Sequence, residues 1–276
     1  MAITSWVRIL ASVGMIIFAG AVAAGATGAF FSDTETSTGN TFTAGAIDLQ
    51  IDNESYFTNS LGELEASTNN SWTLSDITNQ LFFSFTDLKP GDIGEDTISV
   101  HAGTNDAWAC LAVDVTSTPE NTLVGPETDA NDTGEPGELQ NYLNFTFWRD
   151  DGDNVFEDDE VTIPSLSNVA ASSLQGAWHA IADFANGPVI SGNQTRYVGK
   201  AWCFGTLSTA TTPVAQDDLG KTNPNTNGPL ERGTGFNCSG SGSQNDAQTD
   251  GIEADVSFYA EQARNNGSFL CSNLNT

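Results

Sequence analysis

The chain is predicted to be an all-β protein, a β-sandwich or jelly-roll-like single domain with long loops and one or two short helices. Three observations favour this class. Short runs rich in β-branched and aromatic residues recur along the 276 residues, acidic or Gly/Asn/Ser-rich loops separate them, and helical periodicity is rare. Because neither an internal repeat nor a shift in composition marks a second domain, one domain is expected after the N-terminal segment.

Seven segments are predicted to be strands because they concentrate Val, Ile, Thr and aromatic residues. In chain order they are Phe42–Ile51, Leu81–Phe85, Thr97–His101, Trp108–Val115, Asn144–Trp148, Thr195–Phe204 and Glu253–Ala263. A helix is predicted at Gly137–Leu143, directly after Pro136, and a second one, broken by Gly176, at Ser165–Ala182. Long loops are expected at Thr116–Glu138 and Ala210–Asp250.

Residues 1–29 are predicted to be a secretory signal peptide that is cleaved after Ala29. Arg8 precedes an uncharged apolar stretch that ends in the small residues Thr27-Gly28-Ala29, and no cluster of Lys or Arg follows. A permanent membrane anchor stays open as an alternative, since roughly 20 apolar residues can span a bilayer. The expected organisation is therefore a leader at 1–29, an N-terminal segment at 30–52 and a β-sandwich domain at 53–276.

The charge balance is strongly acidic, with 8 Lys and Arg against 36 Asp and Glu. Such a surface repels nucleic acid and anionic lipid, so neither is expected as a partner, and the membrane is contacted only through the leader before cleavage. Carboxylate oxygens are the ligands that Ca²⁺ prefers. Calcium is accordingly the one cofactor that the composition favours.

Four cysteines, Cys110, Cys203, Cys238 and Cys271, predict two disulfides in an exported protein. Four cysteines allow three connectivities, and all three stay open on the sequence. The favoured one joins Cys203 to Cys238, which closes a long loop, and Cys110 to Cys271, which ties the last strand to an earlier one.

The densest acidic run, Asp150–Glu160, is a candidate calcium loop. Seven carboxylates in its eleven residues repel one another unless a cation neutralises them. Asp151, Asp153 and Glu157 are the predicted ligands, although the run departs from the D-x-D-G-D pattern because Arg149 stands where the first Asp would be. The alternative is a solvated acidic hairpin between Asn144–Trp148 and Val161–Ile163.

Two stretches carry a family resemblance. The leader is followed by Phe30–Asp52, FFSDTETSTGNTFTAGAIDLQID, and then by Phe85–Asp92, FTDLKPGD, before a predicted strand. In this order they resemble the TasA/camelysin family of secreted fibre-forming proteins, which carry a dedicated SipW-type signal peptide. About 30 of the 276 residues take part in the resemblance.

The resemblance implies a secreted or cell-surface structural subunit of extracellular fibres or a biofilm matrix. Its partners would be copies of itself, joined head to tail, and a dedicated signal peptidase. The N-terminal segment would be donated to the next subunit's sheet, because an added strand satisfies the unpaired groups of a sheet edge. The assembly residues implied are Phe30, Phe31, Phe42, Ile47 and Leu49.

Three alternatives stay open. The N-terminal segment can pair within its own domain instead of with a neighbour. Since some relatives of this family are described as metalloendopeptidases, a camelysin-like protease using His101 or His179 is a second function, although zinc proteases need about three protein ligands and these histidines are far apart in sequence. The third is a monomeric cell-surface binding module held by an uncleaved leader.

Overall fold

The computed structural model describes residues 32–36, 47–221, 226–240 and 244–275. It is mostly antiparallel β-structure and confirms the predicted all-β single domain. The helices among the described residues are short: α1 is Gly125–Asp129, α2 is Leu139–Tyr142 and α3 is Pro229–Arg232. Four 3₁₀ turns cover Pro164–Leu166, Ala171–Ser173, Asn245–Ala247 and Cys271–Leu274.

Thirteen strands are described. They are β1 (Ser32–Thr36), β2 (Gln50–Thr58), β3 (Leu64–Ser75), β4 (Ile93–His101), β5 (Ala107–Ser117), β6 (Leu143–Asp150), β7 (Val161–Thr162), β8 (Val169–Ala170), β9 (Gln175–Ala182), β10 (Thr195–Phe204), β11 (Thr206–Thr209), β12 (Phe236–Ser239) and β13 (Glu253–Gln262).

Two sheets form the sandwich. The first has the order β1-β13-β5-β9, and the second has the order β3-β2-β4-β10-β6-β7 with β8 also paired to β6. A small third sheet pairs β11 with β12. At the margins of the second sheet, β3 is long and rich in polar residues, whereas β7 and β8 have two residues each. Very short edge strands such as β7 and β8 blunt the unpaired edge of a sheet.

The main hydrophobic core lies between the two sheets. Ile98 and Val100 of β4 enter it from the larger sheet, and Leu111 of β5 and Phe258 of β13 enter it from the smaller one. A second, smaller core covers the outer face of the larger sheet, where Trp148 packs with Phe236. The covering segments come from the chain between β6 and β7 and between β10 and β12.

Two disulfides join Cys110 to Cys271 and Cys203 to Cys238. The favoured connectivity is therefore the one that the structure contains. Each bridge serves a different core: Cys110 and Cys271 belong to the core between the sheets, and Cys203 belongs to the outer core, with Cys238 packed against it. Closing loops of this kind stabilises a fold mainly by restricting the unfolded chain.

Several sequence predictions need correction. The Leu81–Phe85 segment is irregular, because Phe82 and Phe85 pack as individual rings against Trp72 and Trp202. The Ser165–Ala182 helix is wrong, since these residues form 3₁₀ turns and the strands β8 and β9. The helix predicted at 137–143 is present but reduced to α2, and β3 was not predicted at all.

The N-terminal strand β1 is paired with its own domain. Ser32 lies opposite Glu261 and Thr36 lies opposite Ser257, so β1 forms an edge of the smaller sheet next to β13. Of the predicted assembly residues, Phe30, Phe31 and Phe42 lie outside the described residues.

The other two predicted assembly residues are part of the home domain. Ile47 and Leu49 are 3% and 0% exposed and belong to the main core. Residues 50–52 begin β2, which pairs with both β3 and β4 of the same chain. The candidate donor is therefore shorter than the predicted segment 30–52, because Ile47 and Leu49 cannot leave without opening the core.

Candidate functional site: a buried acidic centre

A group of buried carboxylates lies on the outer face of the larger sheet. We call Asp150, Asp151, Asp153, Glu157 and Glu160, which end β6 and form the following loop, the acidic centre. Side chains alternate across a strand. Because Ile98 and Val100 of β4 enter the main core, Glu95 and Thr97 project from the opposite, outer face.

Asp150 is fixed by the sheet beneath the centre. The Thr97 hydroxyl donates a hydrogen bond to Asp150 Oδ2 at 2.7 Å, and Trp148 Nε1 donates to Asp150 Oδ1 at 3.2 Å. Asp150 is 8% exposed. Burial raises the pKa of Asp150 to about 7, and the charge of Asp151 adds to that effect.

The loop after β6 turns tightly enough to gather its carboxylates. Gly152 and Asn154 adopt left-handed backbone conformations, with φ of 115° and 67°. The Asp153 carboxylate accepts a hydrogen bond from Val155 N at 3.0 Å. The Glu160 carboxylate accepts bonds from the backbone nitrogens of Asp151 and Glu157, each at 3.0 Å, and so closes the loop.

The three predicted calcium ligands come together. Oxygens of Asp151, Asp153 and Glu157 lie within 4.8 Å of one another, and oxygens of Asp150, Asp151 and Glu160 form a second set of the same size. Asp153 and Glu157 are 0% and 1% exposed. The predicted hairpin is also present, because β6 pairs with β7 across the loop, but the acids inside it are largely buried rather than solvated.

Sequence reasoning missed the internal cation of the centre, Arg232. Its Nη1 lies 2.6 Å from Asp153 Oδ2 and 3.0 Å from Asp217 Oδ2, and its Nη2 contacts Glu157 Oε1. Arg232 ends helix α3, 79 residues beyond Asp153. The available signal was the scarcity of basic residues, which makes each one a candidate partner for a buried acid.

One guanidinium does not neutralise this group. Arg232 contacts Asp153, Glu157 and Asp217, and its charge also acts on Asp151. The charges of Asp150 and Asp153 act in turn on buried Glu95. Burial, followed by the charge of Asp150, raises the pKa of Asp153 to about 8 and that of Glu160 to about 9. The pKa values of Asp151 and Glu157 are raised as well, mainly by burial. Near neutral pH the centre must therefore hold protons or take up another cation.

Unused oxygens indicate where such a cation would bind. Within the described parts of the chain, Glu157 Oε2, Asn154 Oδ1 and Asp151 Oδ1 are buried and accept no hydrogen bond. Buried polar atoms are normally paired, so each unpaired oxygen calls for an explanation. Amide and carboxylate oxygens are hard ligands, which fit Ca²⁺.

A second acidic group lies elsewhere, where the loop between β5 and β6 meets the segment that precedes β13. It comprises Glu120, Glu127, Asp132, Glu138 and Asp250. Burial raises the pKa of Glu120 to about 7, and Asp250 adds to that shift. Asp250 already has a structural role, because its Oδ2 accepts hydrogen bonds from the backbone nitrogens of Leu139, at 3.1 Å, and Glu138. It therefore satisfies backbone donors at the start of α2.

The two histidines lie in different sheets. His101, at the end of β4, is 3.7 Å from Asp52 Oδ2 and pairs with the Thr195 hydroxyl. His179, in β9, contacts the Ser165 hydroxyl at 2.9 Å, and burial lowers its pKa. In the described ranges, neither belongs to a group of three side chains placed to ligate one metal ion.

Fold and site together define a class: a disulfide-bonded, antiparallel β-sandwich with an acidic centre on the outer face of one sheet. Comparison with protein-family models and with curated proteins finds no match for the chain. In the part that the structure describes, there is no helix long and apolar enough to cross a bilayer.

Proposed function

We propose that this chain is a secreted structural subunit that assembles into extracellular fibres by exchanging its N-terminal strand with the next copy. The observation that carries the proposal is the position of β1. It is a terminal edge strand, its ladder partner is β13, and it precedes Ile47, the first described residue of the core, in the sequence.

The β1–β13 ladder supplies both halves of the proposed contact. If β1 moved to a neighbour, the backbone groups of Ser257–Glu261 that face β1 would lose their partners, and the β1 strand of another copy would replace them in the same register. Such an exchange keeps every ladder hydrogen bond and changes only which chain provides it. Because the donor and acceptor surfaces differ, one-way donation from copy to copy yields a filament, whereas reciprocal exchange between two copies would close a dimer.

The length of the connection sets the reach of the exchange. Ten residues, 37–46, separate β1 from Ile47 in the sequence, and a fully extended chain of ten residues spans at most about 35 Å. Two further properties agree with the proposal: the two disulfides fit an oxidising extracellular environment, and the N-terminal motifs resemble those of fibre-forming proteins. The high negative charge keeps the free subunit soluble.

A paired-cysteine experiment tests the exchange directly. Thr36 and Ser257 lie opposite each other in the β1–β13 ladder. In mature chain carrying Thr36→Cys and Ser257→Cys, exchange predicts a ladder of covalently linked multimers on non-reducing gels of assembled material. The single Thr36→Cys variant controls for shuffling with the native cysteines. Assembled material that yields only internally linked monomer would refute strand donation.

A second role is carried by the unpaired oxygens of the acidic centre. We propose that this centre binds Ca²⁺ through Asp151, Asp153, Glu157 and Asn154 and so stiffens the outer face of the sandwich. Calorimetric titration with Ca²⁺ is expected to give a binding isotherm that Asp153→Asn abolishes. Asp159→Asn removes an exposed acid of the same run and is expected to leave binding unchanged. Equal binding by both variants would exclude this site.

A further inference from the structure

The core between the sheets contains an ion pair that neither proposed function uses. Lys200 of β10 and Asp96 of β4 are opposite one another in the antiparallel ladder, and Lys200 Nζ contacts Asp96 Oδ2 directly. Lys200 is 4% exposed and Asp96 is 0% exposed. β4 and β10 are the central pair of the larger sheet, so the contact lies deep within the domain.

The surroundings of the pair are apolar and aromatic. Apart from Asp96, Lys200 Nζ has the Phe82 carbonyl oxygen at 3.3 Å and lies 5.6 Å from the centre of the Phe83 ring. Ile98 and Phe147 belong to the same cavity wall as Lys200. On the side of β2, Asp96 faces Ser55, which is also fully buried.

Holding two full charges in such a place is unfavourable, because each ion loses its hydration and the mutual attraction rarely compensates fully. Burial raises the pKa of Asp96, and Lys200 and Ser55 oppose that shift only in part. The pair therefore holds an amine nitrogen and a carboxyl group in contact and shielded from water. Those are the reactants for forming an amide, and proximity of this kind strongly accelerates reaction.

We propose that Lys200 and Asp96 condense to an isopeptide bond that joins β4 to β10 covalently. Lys200 Nζ attacks Asp96 Cγ, the Nζ–Cγ bond forms, and one Cγ–Oδ bond breaks. The departing oxygen leaves as water, taking the two protons that the ammonium group and then the attacking amine give up. No oxidant, cofactor or second protein is required, and the product carries no charge.

The inference is independent of fibre formation and of calcium binding. It identifies Lys200 and Asp96 as a modification site, and it explains why a chain with only eight Lys and Arg residues places one of them inside its core. A covalent tie between the two central strands would resist pulling along the sheet, which hydrogen bonds alone resist less well.

Intact mass spectrometry of the natural, folded protein tests the proposal. After reduction and denaturation, essentially every molecule is expected to be lighter than its sequence by the mass of one water. Digestion with trypsin should fail after Lys200, and one branched product should contain the β4 and β10 peptides together. An unmodified mass in protein that has both native disulfides overturns the proposal, whatever any variant does.

Three controls separate this bond from other dehydrations. Lys200→Arg keeps the charge but removes the nucleophile, so the water loss should disappear. Asp96→Asn should lose one ammonia instead, with the same branched product. Lys89 and Asp87 form an ion pair at 2.8 Å that is 56% and 82% exposed, and they should remain unlinked. Water loss that persists in Lys200→Arg, or that maps to a cyclised aspartate, also overturns the proposal.

Discussion

The two faces of strands β4 and β10 differ in how their buried charges are balanced. On the inner face, Asp96 meets Lys200, one acid with one base. On the outer face, Arg232 is the one cation among the described residues that contacts Asp153, Glu157 and Asp217, and further buried carboxylates lie beside them. The inner pair is self-sufficient, whereas the outer group has to recruit protons or a cation. The same sheet thus carries a charge-balanced pair on its inner face and a group with excess negative charge on its outer face.

The largest effect is expected from breaking the inner pair. Lys200→Met leaves Asp96 buried without a partner, which should lower the free energy of unfolding by about 3–5 kcal/mol. Urea denaturation monitored by tryptophan fluorescence measures it. The double variant Lys200→Met with Asp96→Leu should recover the part of the loss that comes from the unpaired charge, since an apolar pair of similar volume replaces both side chains, but not the part that comes from the missing covalent bond. A double variant as unstable as the single one would show that the unpaired Asp96 is not what destabilises Lys200→Met.

The stability that is lost when the cation of the outer face is removed should be restored by Ca²⁺. Arg232→Met is expected to cost about 3 kcal/mol without divalent ions, because Asp153 and Glu157 lose their cation. Millimolar Ca²⁺ should restore most of that loss in the same denaturation assay, whereas it should not rescue Lys200→Met. Arg264 is exposed, so Arg264→Met serves as the control and should leave the free energy of unfolding unchanged. Failure of Ca²⁺ to rescue Arg232→Met would remove the distinction between the two faces.

The pH dependence of stability should also come from the outer face. Asp150, Asp153 and Glu160 have folded pKa values of about 7, 8 and 9, above those of the unfolded chain. At pH values between the unfolded and the folded pKa of each carboxyl group, the folded state binds more protons than the unfolded state. The free energy of unfolding therefore falls as pH rises. Metal-free protein should therefore melt at a higher temperature at pH 5 than at pH 8.5. Saturating Ca²⁺ should flatten this profile, and a metal-free profile that rises with pH would contradict the assignment.

The smallest effect is expected where solvent already screens the charges. Lys221 Nζ lies 2.6 Å from Glu54 Oε2 in a pair that is 37% and 25% exposed. Lys221→Gln should change the free energy of unfolding by only about 0.5 kcal/mol. The change should shrink further in 1 M NaCl, and a loss comparable with that of Lys200→Met would mean that burial does not govern the ranking.

The sequence predicted elements well where side chains alone determine them. β10 was predicted to the residue, and β5, β6 and β13 nearly so, because their β-branched and aromatic residues are locally dense. β3 escaped prediction because its stabilisation is polar and non-local. Asn70 of β3 is fully buried, and its backbone carbonyl accepts a 2.6 Å hydrogen bond from Asn53 Nδ2 of β2. No local sequence pattern predicts such a contact.

The acidic centre shows the same division. Asp151, Asp153 and Glu157 could be proposed because they are close in sequence and densely charged. Arg232 could not, since 79 residues separate it from Asp153 and only the packing of α3 brings the two together. The burial of the acidic centre could not be predicted from the sequence either. An acidic run of this composition ordinarily faces solvent, whereas here the outer core and the long loops cover it.

The edges of the two sheets have a consequence for growth. The larger sheet ends in polar β3 on one side and in the very short β7 and β8 on the other, whereas β13 of the smaller sheet is paired with β1, the proposed donor strand. A polymer built on the β1–β13 contact would have two different ends. One end would carry a β1 strand without an acceptor, and the other would carry a β13 edge without a β1 partner. Copies that lack residues 30–36 could accept the β1 strand at the first end but would have no β1 to donate. A small fraction of such copies would therefore cap the filaments and stop their elongation.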